Sequence, residues 1–347
     1  MLPSKEFTFT AVLASVCGKI FIMISRLLLL SLLGVWFSNV IAQECKTYKQ
    51  KDRVLSVDVS PDGKYIACCV QNKNGIFRLL DFTTGKLVKT FVYHNGYISR
   101  ICYSHDGQYI AAASRNGSIQ IWDVKRRKIV KSLIGHTGFV SSVCFSPDDK
   151  YLLSSCQDLT TKLWEISTGK IIRSIDVKCQ HNSIAGFSPD GKNVVISAIY
   201  EKKDNPGIII LNLDSGKSRS IKLNFTNVIT ACFSPDGEYI VVNDFYNYYC
   251  YLINVKQSVL VRTFKGHENW VYDFKFSPNM KYLFSCSHDA DIKIWDIETG
   301  ELKYTFTGHF QPIISIAFSH DYKYLVSGSI DKKVKVWKIP EVFNLIN

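Results

Sequence analysis

None of the short motifs that announce an enzyme occurs in this 347-residue chain: there is no G-x-S-x-G, no H-E-x-x-H, no phosphate loop and no cluster of acids outside a repeated frame. Eleven cysteines are present without one C-x-x-C or metal-ligand spacing, so no metal and no cofactor is expected. Acidic side chains are the scarcer sign, 30 against 42 basic, for a formal charge of +12 and a pI near 9.1. The Lys and Arg are spread along the whole chain and no recognised nucleic-acid module accompanies them, which disfavours nucleic acid as a partner. With 46% hydrophobic and 13% aromatic residues the chain can bury a large core.

The front end is almost free of charge. From Phe7 to Ala42 only Lys19 and Arg26 interrupt an apolar sequence. Counted from Met23, it has a short basic start, a leucine-rich stretch, and Val40-Ile41-Ala42 before Gln43 as an acceptable cleavage site. Residues 1–42 are therefore expected to be a signal peptide with Met23 as the true start, and the mature chain to be exported, periplasmic or extracellular. The run after Arg26 is shorter than the ~20 residues a spanning helix needs. A signal anchor that recruits the upstream residues is the alternative, giving a membrane-anchored protein; a cytoplasmic one is the other. The cysteines pull that way: Cys102, Cys144 and Cys232 share one slot of a repeated strand and read as buried thiols, commoner in reducing compartments.

Self-similarity dominates residues 43–347. A block of the type "FSPDGKYI" places its serine at Ser60, Ser104, Ser146, Ser188, Ser234, Ser277 and Ser319, in steps of 44, 42, 42, 46, 43 and 42 residues. Within each of these units an alternating strand, a Pro-Asp-Gly type turn, an apolar strand, a tight Asp or Asn turn, a third strand and a Thr-Gly-Lys type turn follow in order. Period-2 patterning between closely spaced turns predicts an all-β array.

Gly-His pairs at 135–136, 266–267 and 308–309, with Trp122-Asp123, Trp164-Glu165, Trp295-Asp296 and Trp337-Lys338, make the sequence resemble the WD40 repeat family. The resemblance implies an all-β fold: a seven-bladed β-propeller of four-stranded antiparallel blades, preceded by the apolar leader. Leu80, Leu211 and Ile253 stand where units 1, 4 and 5 would carry Trp. Thr47-Tyr48-Lys49 echoes Thr263-Phe264-Lys265 and is expected to close the last blade, although the tail "EVFNLIN" could fill that place.

The stretch "SCSHDADIKIWD" gathers Ser285, Ser287, His288, Asp289 and Asp291 and invites a hydrolase reading. Its repetition argues for a structural one. The resemblance implies buried hydrogen-bonded tetrads of His136, Ser154, Asp158 and Trp164; His267, Ser285, Asp289 and Trp295; and His309, Ser327, Asp331 and Trp337. Ser287 and Ser329, two residues closer to the Asp on the same strand face, are alternatives for the serine. Unit 2 has His94 and Trp122 but Ala112 and Asn116, so its network is expected to be incomplete.

Because the frame repeats, pattern-breaking residues carry the functional information. The slot before the first strand of each unit holds Arg53, Tyr97, Phe139, His181, Asn227, Trp270 and Pro312. In the family that slot rims the channel on the top face, and Arg, Tyr and Trp are the types that anchor partners. Of these, Arg53, Tyr97, Phe139, His181, Asn227 and Trp270 are candidate partner-binding residues. They are joined by Tyr246 from the aromatic stretch "NDFYNYYCY" and by His288, whose slot is Arg115, Gln157 and Ile330 elsewhere. The expected function is a non-catalytic protein–protein interaction scaffold that takes a peptide or protein on the top face. A propeller hydrolase or lyase and a binder of anionic polymers are the alternatives.

Overall fold

A computed structural model of the chain describes residues 43–92, 96–177, 185–197, 207–223, 228 and 230–346. The leader, His94, His181, Asn227 and the Lys-rich stretch at 200–206 lie outside the described residues. The described chain forms seven four-stranded antiparallel sheets, six of them consecutive in sequence. The seventh takes its outer strand from the other end of the chain: β1 (Cys45–Lys49) pairs with β28 (Lys333–Lys338), Tyr48 opposite Val334. The N-terminal strand thus closes the ring, as its echo of Thr263-Phe264-Lys265 predicts. The tail instead makes a short 3-10 turn, Glu341–Phe343, with Phe343 against Tyr282 and Tyr304. Among the described residues no helix is long and apolar enough to cross a membrane.

The repeated serine explains its own burial. In the first blade Ser60 Oγ donates to Asp62 (2.6 Å) and accepts the Tyr65 N–H (2.9 Å), fixing the turn between first and second strands; the same bonds recur at Ser146 and Ser319. Alternate residues of the second and third strands then face opposite neighbours, so an apolar cluster fills each gap between adjacent blades.

The first strands line a central channel. Arg100 of blade 2 reaches Asp273 of blade 6 across it, 3.1 Å apart, and Lys275 approaches the same carboxylate at 3.8 Å. Cys102, Cys144 and Cys232 are half-buried on these strands, not sealed between sheets as their small apolar slot suggests. They edge the inter-blade clusters, and Cys144 Sγ donates to the Ala185 carbonyl of blade 4 at 3.5 Å. Burial nevertheless pushes the Cys144 thiol up to about 12, and Cys102 and Cys232 move the same way.

Candidate interaction face of the propeller

The tetrads come first, because they hold the loops of one face in place. In blade 3 the Trp164 indole N–H donates to Ser154 Oγ (2.7 Å), Ser154 meets His136 Nε2 (2.8 Å), and His136 Nδ1 meets Asp158 (2.8 Å). Blades 6 and 7 repeat the chain through Trp295, Ser285, His267 and Asp289, and through Trp337, Ser327, His309 and Asp331, all at 2.7–2.8 Å. The serine is the one predicted; Ser287 and Ser329 instead donate to the Asn269 and Gln311 carbonyls.

A neutral imidazole satisfies every group: it donates from Nδ1 and accepts the serine hydroxyl at Nε2. Burial lowers the His136 and His309 pKa values, against the opposing pull of their aspartates. Burial alone would raise the Asp158 carboxyl, but hydrogen bonds from Thr160, His136 and the Thr137 N–H hold it at about 2.

A Ser-His-Asp chain therefore does exist at Ser285, yet through His267 and not His288. Ser285 is fully buried with Trp295 N–H on its oxygen, so no substrate carbonyl reaches it. His136, Cys156 and Asp158 bring three potential ligand atoms within 4.8 Å of one another. Both ring nitrogens of His136 are engaged, and burial pushes the Cys156 thiol up to about 11, so the group fits a hydrogen-bond network better than a metal ion.

Each Asp also accepts a backbone N–H of the loop that leads into its own blade (Thr137 3.0 Å, Glu268 3.0 Å), tying loop to loop. A second tie repeats beside it: the carbonyl of the slot residue accepts the N–H of the residue before the Asp slot, Tyr97 from Arg115 (2.9 Å), Phe139 from Gln157 (2.9 Å), Trp270 from His288 (2.7 Å). The two variable positions are thereby set side by side on one face. Arg115 lies between Tyr97 (5.4 Å to the ring centre) of its own blade and Phe139 (5.2 Å) of the next. Trp270 meets His288 edge-on, and His288 Nδ1 lies 2.9 Å from the Tyr272 hydroxyl, so this histidine is half-buried and packed, not projecting freely. Phe245 stacks on Trp270 with centroids 4.6 Å apart, and Tyr246, 67% exposed, leans on Phe245.

These residues surround a cavity of about 350 Å³ at the channel mouth, walled by Phe139, Phe245, Trp270 and Tyr272, with Leu55 and Ile314 opposite and Arg100 and Arg115 at its polar edge. Phe139 and Trp270 are thus brought together with Tyr246 and His288 nearby. Tyr97 joins through Arg115, while Arg53 is exposed and does not line the cavity. His181 and Asn227 lie outside the described residues. Sequence reasoning missed Leu55, Arg100, Arg115, Tyr272 and Ile314. Leu55, Tyr272 and Ile314 sit at register shifts early in the first strands, where a bulge turns a residue into the mouth that simple alternation would place elsewhere.

The WD domain, G-beta repeat family matches residues 42–81, 85–123, 127–165, 258–296 and 300–338, more than half of the chain. The chain belongs to the WD40 family. The unmatched residues 166–257 of this WD40 chain hold blade 4 and the first three strands of blade 5, which carry Leu211 and Ile253 in place of Trp. It is similar to the nuclear distribution protein nudF of Emericella nidulans, 50% identical over 38 residues, 11% of this chain and 9% of that protein. It is also similar to the nuclear distribution protein PAC1 of Lachancea thermotolerans, 49% identical over 43 residues, 12% of this chain and 9% of that protein. With the target of rapamycin complex subunit wat1 of Schizosaccharomyces pombe it shares 31% identity over 80 residues, 23% of this chain and 26% of that protein. These matches span well under two thirds of any of the three relatives.

Proposed function

We propose that this WD40 propeller is a non-catalytic scaffold that holds a peptide or protein partner on the face where the tetrad loops emerge. The observation that carries the reading is the aromatic mouth: Phe245 stacked on Trp270, with Phe139 and Tyr272 around an open cavity. Rigid aromatic side chains already locked by neighbours lose little entropy on binding, which is what a recognition site requires. Membership of a complex, printed in the name of the relative wat1, agrees with this reading. A turnover function finds no support in the tetrads, whose serines are buried under indole N–H groups.

The test is quantitative affinity purification from native cells with the wild type and with Trp270→Ala plus Arg115→Ala, the fold of both checked by circular dichroism. Partners that anchor on the mouth should fall about tenfold or more in the variant; an unchanged set rejects the reading. The compartment belongs to the same proposal: export after cleavage between Ala42 and Gln43 predicts a mature chain starting at Gln43. Intact mass of native protein showing residues before Gln43 would reject export by cleavage.

A further inference from the structure

The opposite face carries an anomaly that the internal symmetry of the propeller exposes. In every blade one residue of the outer strand pairs with the position just before the Trp slot: Lys46, Lys89, Lys131, Arg173, Arg219, Arg262 and Tyr304. At six of the seven blade boundaries this side chain covers the next blade's turn between third and fourth strands, or the tail that replaces it. Lys46 Nζ donates to the Thr83 carbonyl at 3.4 Å, Arg173 to Leu213 at 3.4 Å, and Arg219 to Ser258 Oγ at 3.0 Å. Lys131 lies over Gly169, Arg262 is so close to Gly300 that a Cβ there would sit 2.9 Å from its Cδ, and Tyr304 packs on Phe343.

The boundary between blades 1 and 2 is different. The turn facing Lys89 is Lys125-Arg126-Arg127, where blade 3 has Ser167-Thr168-Gly169. Lys89 and this basic turn line one cleft, and Lys89 is half-buried with no hydrogen bond or ion pair among the described residues. Lys125 and the Arg127 side chain are equally unpaired, while Arg126 is 3.8 Å from Asp123. A cleft of about 780 Å³ remains open here, with Leu79, Val88, Phe91, Tyr65 and Tyr109 in its wall. Asp106 and Asp123 are the carboxylates lining it, and both are engaged in turn hydrogen bonds.

We infer that this cleft is a second binding site, distinct from the aromatic mouth, for an acidic protein segment that carries an apolar side chain. Carboxylates supply the counter-charge that Lys89, Lys125 and Arg127 lack. The apolar side chain fills the space that the bridging residue closes at the other six boundaries, against Val88, 42% exposed, and the half-buried Tyr65 and Tyr109. A nucleic-acid phosphate would meet the cations but leave the apolar wall uncovered.

The probe is a fluorescein-labelled peptide, Glu-Asp-Leu-Phe-Glu-Asp, titrated into the full chain by fluorescence anisotropy. Lys125→Ser, Arg126→Thr and Arg127→Gly together convert the turn to the blade 3 sequence, which folds in this same frame and relieves the left-handed backbone of Arg127 (φ 59°). Affinity is expected to fall about tenfold or more in this variant, to fall likewise when the peptide's Leu-Phe becomes Ser-Ser, and to be unchanged by Arg115→Ala plus Trp270→Ala. No binding to the wild type overturns the inference. So does binding indifferent to the turn variant, loss on the Arg115 and Trp270 variant, which would place the peptide on the aromatic mouth, or full competition by inorganic phosphate or a single-stranded DNA oligonucleotide.

Discussion

Trp122 keeps a buried indole N–H with no acceptor among the described residues, because Ala112 stands at the position that Ser154, Ser285 and Ser327 hold in blades 3, 6 and 7. Blades 1, 4 and 5 avoid this cost by losing both partners: Cys68, Ile196 and Val242 occupy the serine position and Leu80, Leu211 and Ile253 the indole position. Removing both members of a buried pair is nearly neutral, whereas removing one leaves an unsatisfied group. Ala112→Ser should therefore stabilise the protein by about 1 kcal/mol. Ser285→Ala, which strands both Trp295 and His267, should cost about 3 kcal/mol. Urea titrations of the two variants check both signs. The tetrad residues themselves were legible through the resemblance to the WD40 family; Ser287 stayed an alternative to Ser285, since both lie on one strand face and only the hydrogen bonds separate them.

At the scale of elements, strand order and turns followed from alternation and from the Ser-Pro-Asp-Gly frame, as in Ser60-Pro61-Asp62-Gly63. The first-strand bulges did not, because an extra residue leaves no signature in a two-residue period. They matter for function, since they turn Tyr272 and Ile314 into the channel mouth. Closure by β1 makes a further prediction. Deleting residues 44–49 uncovers the N–H and C=O groups of β28, a sheet edge able to pair with another copy. Size-exclusion chromatography with light scattering should show higher oligomers or aggregate where the intact chain is monodisperse.

The whole molecule couples these networks to pH. His136 and His309 are held below their ordinary values by burial, so the unfolded chain binds protons more readily and stability begins to fall as pH drops below about 6.5. The depressed aspartates contribute fully above their ordinary value of 3.8, and that contribution is lost as pH falls towards the folded value, about 2 for Asp158. The formal charge of +12 grows over the same range and adds self-repulsion. Thermal melts should show a Tm that is level above neutral pH and declines through the acid range; a Tm that rises on acidification would contradict the neutral imidazoles.

By itself the sequence determined the repeat and the number of blades, because each is written locally, in spacing and in turn residues; the tetrads and the variable slot followed from the resemblance to the WD40 family. What only the tertiary structure decided is what meets across the ring. Arg100 with Asp273, Phe245 with Trp270, Arg115 between two blades, and Lys89 facing a basic turn are contacts between repeats, often far apart in sequence. A repeat fixes each blade's interior through near neighbours, but the sites lie where blades face one another, and those pairings exist only once the ring has closed.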